Sequence, residues 1–300
     1  MRNPETIFLK QSGIEVSVIP SRGALISSIK FEGNEVLFCD PELDLEASSW
    51  PSCGVPVLFP FAGRVFKDGI QGSYMVRDKD YNMPLHGFGY GLPWDVLEKS
   101  ESSVCLELMG SDLTAALYPW NFRAILKLSI SERKLKSSIE VQNLGYSGSE
   151  TEKVPMPCYP GVHPYFAVYS DKFNISLEGN NRRFDVTGTG SIGKDREMNQ
   201  SETLTLETEY LRNAIIEHKD NSNVKIETSG LSYNLTSKAS KYTVLWSGDQ
   251  KKYQCVEPWT GVPDAASFSK LGTELEGKHP LSAPLINEGE SFVFDYVLEF

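Results

Sequence analysis

Apolar and polar residues alternate along most of this chain. The alternation is clear over residues 122–130, where apolar residues recur at every second position against Arg, Lys and Ser. Because successive side chains of a β-strand point to opposite faces, this period of two predicts strands with one buried and one polar face. The same pattern predicts further strands at residues 14–18, 136–141, 174–177, 224–228, 242–246 and 292–298.

Residues typical of turns separate the predicted strands. Gly, Asn and Asp cluster at residues 32–34, 143–145, 179–181, 220–222 and 248–250. Helical periodicity is confined to residues 43–50 and 267–274, which predict a helical turn or two. There is no internal repeat, low-complexity tract or linker. The pattern therefore predicts an all-β fold, a large antiparallel β-sandwich in which residues 1–300 form a single domain.

Composition and charge narrow the classes of function. The net charge is −11, and no block of Lys and Arg is present that could neutralise nucleic-acid phosphates. No apolar run has the length of a membrane span, and residues 1–11 lack the pattern of a signal peptide. The five cysteines include no C-x-x-C pair, which indicates free thiols in a reducing cytoplasm.

Irregular segments rich in Gly, Pro and aromatic residues interrupt the alternation. Four of them carry an ionisable residue that stands out: Arg64 in residues 54–64, His86 in residues 84–94, His163 in residues 158–166, and Glu257 in residues 255–261. In a β-protein such segments are loops or strand ends, which is where binding and catalytic sites are usually built.

Each of these ionisable residues has a structural and a functional interpretation. His163 precedes Pro164, which stiffens the backbone on which the imidazole is mounted. Glu257 lies next to Pro258 and Trp259; beside an aromatic ring its pKa would rise, as suits a general base. Arg64 offers a fork of donors to hydroxyls or an anion. Taken singly, His163 and Glu257 fit ordinary structural roles better than functional ones. For Arg64 and His86 the two interpretations are about equal.

Aromatic side chains accompany the ionisable ones. Trp259, Tyr165 and Phe88 are core candidates by type, as are Trp94 and Trp120. Several lie beside the imidazoles, the carboxylate or the guanidinium, and this mixture suits a sugar, whose C–H face packs on a ring while its hydroxyls find donors and acceptors. The other two histidines, His218 and His279, we interpret as surface residues.

Two chemistries use His86, His163 and Glu257 together. The three could bind zinc with an open position, although their wide separation lacks the short spacing of many zinc sites. Alternatively, the carboxylate takes a proton while one imidazole gives one and the other holds the substrate, without a metal. Nucleophilic catalysis is weaker, since neither a G-x-S-x-G elbow nor a Cys–His signature is present.

Five stretches together resemble the aldose 1-epimerase family, the galactose mutarotases and their relatives. They occur in the family's order and span nearly the whole chain: GVPVLFP with Gly63-Arg64 (54–64), HGF followed by Pro93-Trp94 (86–94), YPWNF (118–122), HPYF (163–166) and EPWTG (257–261). The resemblance implies a β-sandwich of twisted antiparallel sheets with a sugar site in a cleft on one face.

The resemblance also implies the roles of individual residues. Glu257 would be the general base and His163 the general acid that protonates the ring oxygen, while His86 and Arg64 would bind the sugar. The implied reaction is aldose 1-epimerisation: the sugar ring opens, the carbonyl end rotates, and the ring closes on the other face. Both directions are proton transfers, so no metal or organic cofactor is expected.

Some family features are absent or displaced. Galactose-binding members usually carry an acidic residue in mid-chain, for which Asp185, Asp195 and Glu197 are candidates. Relatives that act on hexose 6-phosphates usually carry an arginine where this chain has Tyr90, although Arg182 or Arg183 could supply a guanidinium. A hexose-6-phosphate 1-epimerase and a non-catalytic carbohydrate-binding protein therefore remain as alternatives. The sugar is open, as is the choice between monomer and homodimer.

Overall fold

Strands dominate the structure, a computed structural model that describes residues 5–40, 49–148, 153–169, 172–198, 201–219, 222–228, 230–265 and 283–300. The strands of the first half are β1 (Ile7–Gln11), β2 (Ile14–Ile19), β3 (Leu25–Phe31), β4 (Asn34–Glu35), β5 (Val57–Leu58), β6 (Phe66–Lys67), β7 (Ile70–Gln71), β8 (Ser73–Val76), β9 (Lys79–Asn82), β10 (Asp95–Lys99), β11 (Ser103–Met109), β12 (Trp120–Ser131) and β13 (Lys134–Tyr146). Those of the second half are β14 (Met156–Pro157), β15 (Gly161–Val162), β16 (Tyr165–Ala167), β17 (Asn174–Leu177), β18 (Asn181–Val186), β19 (Ile192–Glu197), β20 (Glu202–Thr205), β21 (Asn213–His218), β22 (Ser222–Thr228), β23 (Leu231–Ser237), β24 (Tyr242–Trp246), β25 (Tyr253–Trp259), β26 (Leu285–Ile286) and β27 (Ser291–Glu299).

Helices in the described residues are short. They are the α-helix α1 (Asp112–Ala115) and the 3-10 helices Pro20–Arg22, Gly89–Gly91 and Glu209–Arg212. None of these helices has the length and apolar character that would let it cross a bilayer. The helical turns predicted at residues 43–50 and 267–274 lie outside the described residues, apart from Ser49 and Trp50, which are not helical.

Two large antiparallel sheets form the body of the fold, as the alternation predicted. One has nine strands in the order β10-β11-β12-β13-β27-β23-β22-β17-β20. The other has eight, in the order β19-β18-β21-β24-β25-β15-β5, with β16 also paired to β25. A four-stranded sheet, β1-β2-β3-β4, and the pairs β6-β7, β8-β9 and β14-β26 complete it. The all-β, antiparallel fold class is confirmed.

The strand predictions are confirmed, and one turn prediction is wrong. Residues 174–177 and 242–246 coincide with β17 and β24, and each of the others lies within a strand that extends beyond it by one residue or more. Residues 143–145 lie inside β13, where the pairing with β12 shifts register between Asn121 and Phe122. The Asn143 side chain accepts a hydrogen bond from the Gly145 N–H, 2.8 Å, which stabilises the irregularity. Turn-forming residues here mark a β-bulge.

The eight-stranded sheet has two faces with different surroundings. Phe166 of β16 stacks on Tyr233 of β23, with ring centroids 5.4 Å apart, so this side packs against the nine-stranded sheet. We call it the core face. Tyr165, the preceding residue, points to the opposite side, as alternation requires. That side, which carries Cys255, Glu257 and Trp259 of β25, we call the cleft face.

The prediction that His218 is a surface residue is wrong. The side chain lies on the core face at the end of β21, only 5% exposed. Its Nδ1 lies 2.8 Å from the Asn181 amide oxygen, and its Nε2 lies 2.7 Å from the Thr243 hydroxyl. The charged neighbours in sequence were misleading, because alternation sends them to other sides than the imidazole. His279 lies outside the described residues.

The remaining core predictions hold. Trp94 and Trp120 are buried, 3% and 0% exposed, and their indole N–H groups donate to backbone carbonyls. All five cysteines are free thiols, as predicted from their number and spacing.

Candidate active site

A cleft of about 600 Å³ lies over the cleft face of the eight-stranded sheet. Its floor is built by side chains of β15–β16, β25, β24 and β21, and its walls by the loops that carry Arg64 and His86. Four of the ionisable residues singled out from the sequence, Arg64, His86, His163 and Glu257, therefore meet at one place. This is the size of pocket that holds a small molecule.

His163 and Glu257 face each other because of strand register. β25 pairs with β15 through Trp259 and Gly161, and with β16 through Cys255 and Tyr165. Midway between these two pairs, in the same register, Glu257 is opposite His163. On its other side Glu257 pairs with Val244 of β24. A separation of about 90 residues in the chain is thus closed by one antiparallel ladder.

The two side chains are in contact and almost fully buried. His163 Nε2 lies 3.2 Å from Glu257 Oε1, with the side chains 6% and 1% exposed. The contact is close but is not aligned as a hydrogen bond, since Oε1 has no hydrogen-bond partner among the described residues. The other imidazole nitrogen, His163 Nδ1, likewise has none among them. The other carboxyl oxygen, Oε2, accepts a hydrogen bond of 3.1 Å from the Trp259 indole. One oxygen is therefore held by a hydrogen bond, and the other is buried against His163 without a hydrogen-bond partner in the described structure.

Burial shifts the pKa values of this pair in opposite directions. Desolvation raises the pKa of Glu257 well above its ordinary value, and the hydrogen bond from Trp259 offsets only part of the rise. Desolvation lowers the pKa of His163 well below its ordinary value, and the nearby His86 lowers it further. Burial therefore favours the uncharged form of each group. Opposed shifts of this kind are typical of acid–base sites.

His86 is held in a strained backbone that aims its imidazole at the cleft. Its φ is +64°, and Gly87 follows at +76°. A Cβ at Gly87 would lie 2.0 Å from the Phe59 carbonyl oxygen, so glycine is required there. The Gly63 N–H donates to His86 Nδ1, 3.1 Å. The neutral ring therefore carries its proton on Nε2, as a donor toward the cleft.

The His86 imidazole stays neutral across the physiological range. Burial, with a smaller contribution from the nearby Arg64 guanidinium, lowers the pKa of His86 to about 3. His86 can therefore donate a hydrogen bond from Nε2, but it does not take up a proton during turnover near neutral pH.

Arg64 forms a wall of the cleft beside a glycine-rich hairpin. With the Gln71 amide oriented so that its oxygen faces Arg64, the guanidinium donates to it from Nε, 2.7 Å, and from Nη1. The turn between β18 and β19 also packs on Arg64, since a Cβ at Gly190 would lie 3.1 Å from Arg64 Cδ. Gln71 thus orients the guanidinium and leaves Nη2 uncommitted within the described structure.

Tyr165 and Trp259 lie at the cleft, and Phe88 does not. Tyr165 is buried beneath His163, with ring centroids 4.7 Å apart and an interplanar angle of 19°. Phe88 packs in the core against aromatic side chains of the nine-stranded sheet and of the loop at residue 59, including Phe122 and Phe59. Its expected role in sugar binding is a misassignment: the turn at Gly87 sends His86 to the cleft and the next side chain to the core.

The sequence reasoning missed several lining residues. Trp50, Gln71, Trp246 and Asn213 all border the cleft. Asn213 pairs with Trp246, and Trp246 with Cys255, so they form one row across the cleft face. A polar residue at the start of an apolar strand is a weak signal for Asn213. For the tryptophans no pattern within one strand distinguishes a cleft from a core.

The candidate mid-chain acidic residues do not reach the cleft. Asp185 lies 3.3 Å from the guanidinium nitrogens of both Arg183 and Arg196. Asp195 pairs with Arg182 at 3.4 Å, and Arg182 also pairs with Glu217 at 2.7 Å. Glu197 pairs with a lysine, Lys219, at 2.9 Å. These carboxylates and Arg182 and Arg183 serve a charged surface of β18, β19 and β21 instead.

The described residues contain one group of three close potential metal ligands. It consists of His163, Cys255 and Glu257, whose donor atoms lie within 4.8 Å of one another, and it does not include His86. Burial and the nearby Glu257 raise the pKa of the Cys255 thiol well above its ordinary value. The set that the zinc interpretation required, His86 with His163 and Glu257, is therefore not brought together as one group of ligands in the described structure.

Comparison with known proteins identifies the family. The sequence model of the family described as Aldose 1-epimerase matches residues 5–276. No curated protein sequence matches the chain.

Solved structures share the fold along the whole chain. A galactose mutarotase-like protein from Lactobacillus casei superposes with a TM-score of 0.79 at 19% identity, covering 98% of this chain and 99% of its own. A galactose mutarotase related enzyme from Lactobacillus acidophilus gives 0.77 at 19%, covering 98% and 97%. A galactose mutarotase-like protein from Clostridium acetobutylicum gives 0.75 at 20%, covering 98% and 94%. The chain belongs to the aldose 1-epimerase family.

Proposed function

We propose that this protein interconverts the α and β anomers of a free aldose. The observation that carries the proposal is the contact of Glu257 with His163 on the floor of the cleft, 3.2 Å between Oε1 and Nε2. Mutarotation needs one group to take the proton of the anomeric hydroxyl and another to give a proton to the ring oxygen. Both oxygens are bonded to the same carbon, so two adjacent catalytic atoms can serve them together.

The proton balance of the pair fits this chemistry. A carboxylic acid beside a neutral imidazole holds the same number of protons as a carboxylate beside an imidazolium. Burial favours the first arrangement, and one proton shift between Glu257 and His163 produces the second. The substrate then meets a base and an acid without any exchange with solvent.

The reaction follows in balanced steps. Glu257 takes the proton of the anomeric hydroxyl while His163 gives its proton to the ring oxygen. The bond between the anomeric carbon and the ring oxygen breaks, and an open-chain aldehyde forms. After the carbonyl end rotates, the ring hydroxyl attacks the other face of the carbonyl, and the two residues exchange roles. General acid–base catalysis of this kind contributes about 10²- to 10⁴-fold to a rate.

The walls of the cleft support a neutral sugar. The Nε2–H of His86 and the free Nη2 of Arg64 are donors for hydroxyl or ring oxygens. Arg64 is the only Lys or Arg side chain among the described residues that line the cleft. Tyr90 occupies the position at which phosphosugar relatives usually carry an arginine. Its ring packs edge-on against Trp50, with ring centroids 4.9 Å apart. A phosphate dianion would find a single guanidinium, so a free aldose is the better substrate.

Polarimetry tests the proposal directly. The optical rotation of freshly dissolved α-glucose and α-galactose should relax faster with the wild-type protein than in buffer. The variants Glu257→Gln and His163→Asn should lose nearly all of this acceleration, because each removes one proton-transfer group while conserving shape.

The controls separate the alternatives. A wild-type rate equal to that of buffer, with sugar binding still measurable by calorimetry, would favour a non-catalytic carbohydrate-binding protein. Faster relaxation of glucose 6-phosphate than of glucose would favour the phosphosugar epimerase. Variants that keep the wild-type rate would remove Glu257 and His163 from the mechanism.

A further inference from the structure

Trp50 touches both imidazoles of the cleft. Its ring stacks on His86, with centroids 4.8 Å apart and an interplanar angle of 27°. It meets His163 edge-on, at 5.1 Å and 68°. The two imidazoles are themselves perpendicular, at 5.4 Å and 88°, so each is restricted by the other and by the indole. A movement of the Trp50 ring would therefore change the orientation of both histidines.

One hydrogen bond fixes Trp50 to the floor of the cleft. The indole Nε1–H donates to the Tyr165 hydroxyl oxygen, 2.9 Å, across a sequence separation of 115 residues. The hydroxyl is buried and keeps its own proton, since desolvation raises the pKa of Tyr165 above its ordinary value. Because Tyr165 lies on β16, paired with β25, the acceptor is part of the rigid sheet.

Tyr165 also carries the second contact of His163. The tyrosine ring lies flat against the imidazole, with centroids 4.7 Å apart. His163 is thus confined between a parallel ring below and the edge of Trp50 at its side. Imidazole rings without hydrogen bonds at both nitrogens otherwise rotate about χ2, and His163 Nδ1 has no partner within the described structure.

We propose that Trp50 and Tyr165 are positioning residues for the two histidines of the cleft, with the indole-to-hydroxyl hydrogen bond as the lock. The kinetic consequence rests on the proposed mutarotase function, whereas the geometric consequence does not. His163 Nδ1 has no hydrogen-bond partner within the described structure, so ring contacts orient this imidazole, whereas His86 also has the hydrogen bond from the Gly63 N–H. Loss of this hydrogen bond should change the orientation of His86 most, because Trp50 stacks on His86 and Tyr165 has no ring contact with His86 within the described structure.

Imidazole NMR tests the geometric part. The chain has only four histidines, so a protein labelled with ¹⁵N in histidine gives a simple ring spectrum. Tyr165→Phe keeps the stacked ring and removes only the acceptor of the Trp50 bond. We expect the His86 ring signals to shift or broaden, and those of His218, held by Asn181 and Thr243 on the core face, to stay in place.

His86 is the decisive signal, because Tyr165→Phe keeps the ring that stacks on His163 and removes only the hydrogen bond to Trp50, which stacks on His86. Unchanged His86 signals in Tyr165→Phe would overturn the proposal, whether or not the protein is a mutarotase. The matched control is Tyr74→Phe, which removes a buried hydroxyl that donates to the Leu117 carbonyl, 2.7 Å, away from the cleft. If Tyr74→Phe moves His86 equally, the effect is a general loosening and the proposal fails.

A double-mutant cycle tests the kinetic part. Tyr165→Phe and Trp50→Phe should each lower kcat by about fivefold, which corresponds to the loss of one hydrogen bond. In Tyr165→Phe, KM should change by a smaller factor than kcat. Because the same bond is lost in both, the double variant should be no worse than the poorer single variant. Effects that multiply would show that the two residues act separately and would overturn the lock. A wild type without mutarotase activity would instead remove the proposed function and leave the NMR result to decide.

Discussion

The eight-stranded sheet carries a buried histidine on each of its faces, and the two differ in how their nitrogens are satisfied. On the core face, His218 has an oxygen partner at both ring nitrogens, Asn181 and Thr243. On the cleft face, His163 has an unpartnered Nδ1 in the described structure and faces a carboxyl group with Nε2. Burial lowers both pKa values, His218 to about 4.

The difference teaches that burial and a shifted pKa do not identify a catalytic histidine. His218 is a neutral core residue whose hydrogen bonds are complete, so nothing is left for a ligand. His163 has the same desolvation but incomplete bonding and an acidic neighbour across a cleft. At these two histidines it is the hydrogen bonding and the facing carboxyl group, and not the direction of the pKa shift, that differ.

The largest effect that would separate the two histidines is on the rate. We expect Glu257→Gln to lower the catalytic part of mutarotation by about 10³-fold, because the general base is lost. His218→Gln should leave the rate within about twofold, since no reacting group contacts His218. Polarimetry of both variants checks this. A large loss in His218→Gln with an intact fold would contradict the distinction between the two faces.

The pH dependence of stability should include a contribution from His218, which a variant can isolate. Its folded-state pKa of about 4 lies below the ordinary 6.5, so the unfolded chain binds more protons between these values. Its contribution is complete above pH 6.5 and is lost as the pH falls toward 4, about 3 kcal/mol in all.

Denaturant unfolding at several pH values measures this contribution. His218→Gln should flatten the loss of stability over that window relative to wild type, although the variant starts from a lower stability at pH 7. Equal slopes in wild type and variant would show that His218 is not buried in its neutral form.

A smaller effect is expected from the partner of His218. Thr243→Val removes the hydroxyl that lies 2.7 Å from Nε2 and leaves a buried nitrogen unsatisfied. The free energy of unfolding should fall by about 1–3 kcal/mol with no change of kcat. Thr260→Val serves as a comparison for the loss of stability, because it also removes a buried hydroxyl, one that donates a hydrogen bond to the Pro160 carbonyl. A fall in kcat for Thr243→Val alone would connect the core face to the reaction.

The smallest effect concerns the second histidine of the cleft. Arg64 contributes to the lowered pKa of His86 after burial, which dominates. Arg64→Gln should therefore raise the pKa of His86 slightly from about 3, while the affinity for sugar falls. Titration of the His86 ring signals by NMR measures the first change and calorimetry the second. A fall in the pKa would mean that the guanidinium does not act on His86 through its charge.

The sequence predicted more of the fold than of the site's surroundings. Alternation identified strands such as β17 and β24 to the residue, because period two is a local property of one strand. It misplaced His218 and Phe88, because which face of a strand is buried, and against what, depends on partners far away in the chain. The residues of the Asn143–Gly145 bulge predict a turn for a related reason. The same residue types favour turns and bulges, and only the pairing with β12 decides between them.

The residues that we propose to carry chemistry could be found from the sequence, but their arrangement in space could not. Glu257, His163, His86 and Arg64 stood out by type and by their loops, and the family resemblance gave them roles. Trp50 did not stand out, since an aromatic residue that clamps two imidazoles looks the same in sequence as one in a core.

By itself, the sequence determined the all-β architecture and the identity of the acid–base candidates, because both follow from local patterns and residue chemistry. The tertiary structure alone decided that Glu257 is opposite His163, that one carboxyl oxygen is held by Trp259 while the other has no hydrogen-bond partner in the described structure, and that Trp50 donates a hydrogen bond to Tyr165. The physical reason is strand register: it places residues far apart in the chain side by side, and it is set by the pairing of whole strands.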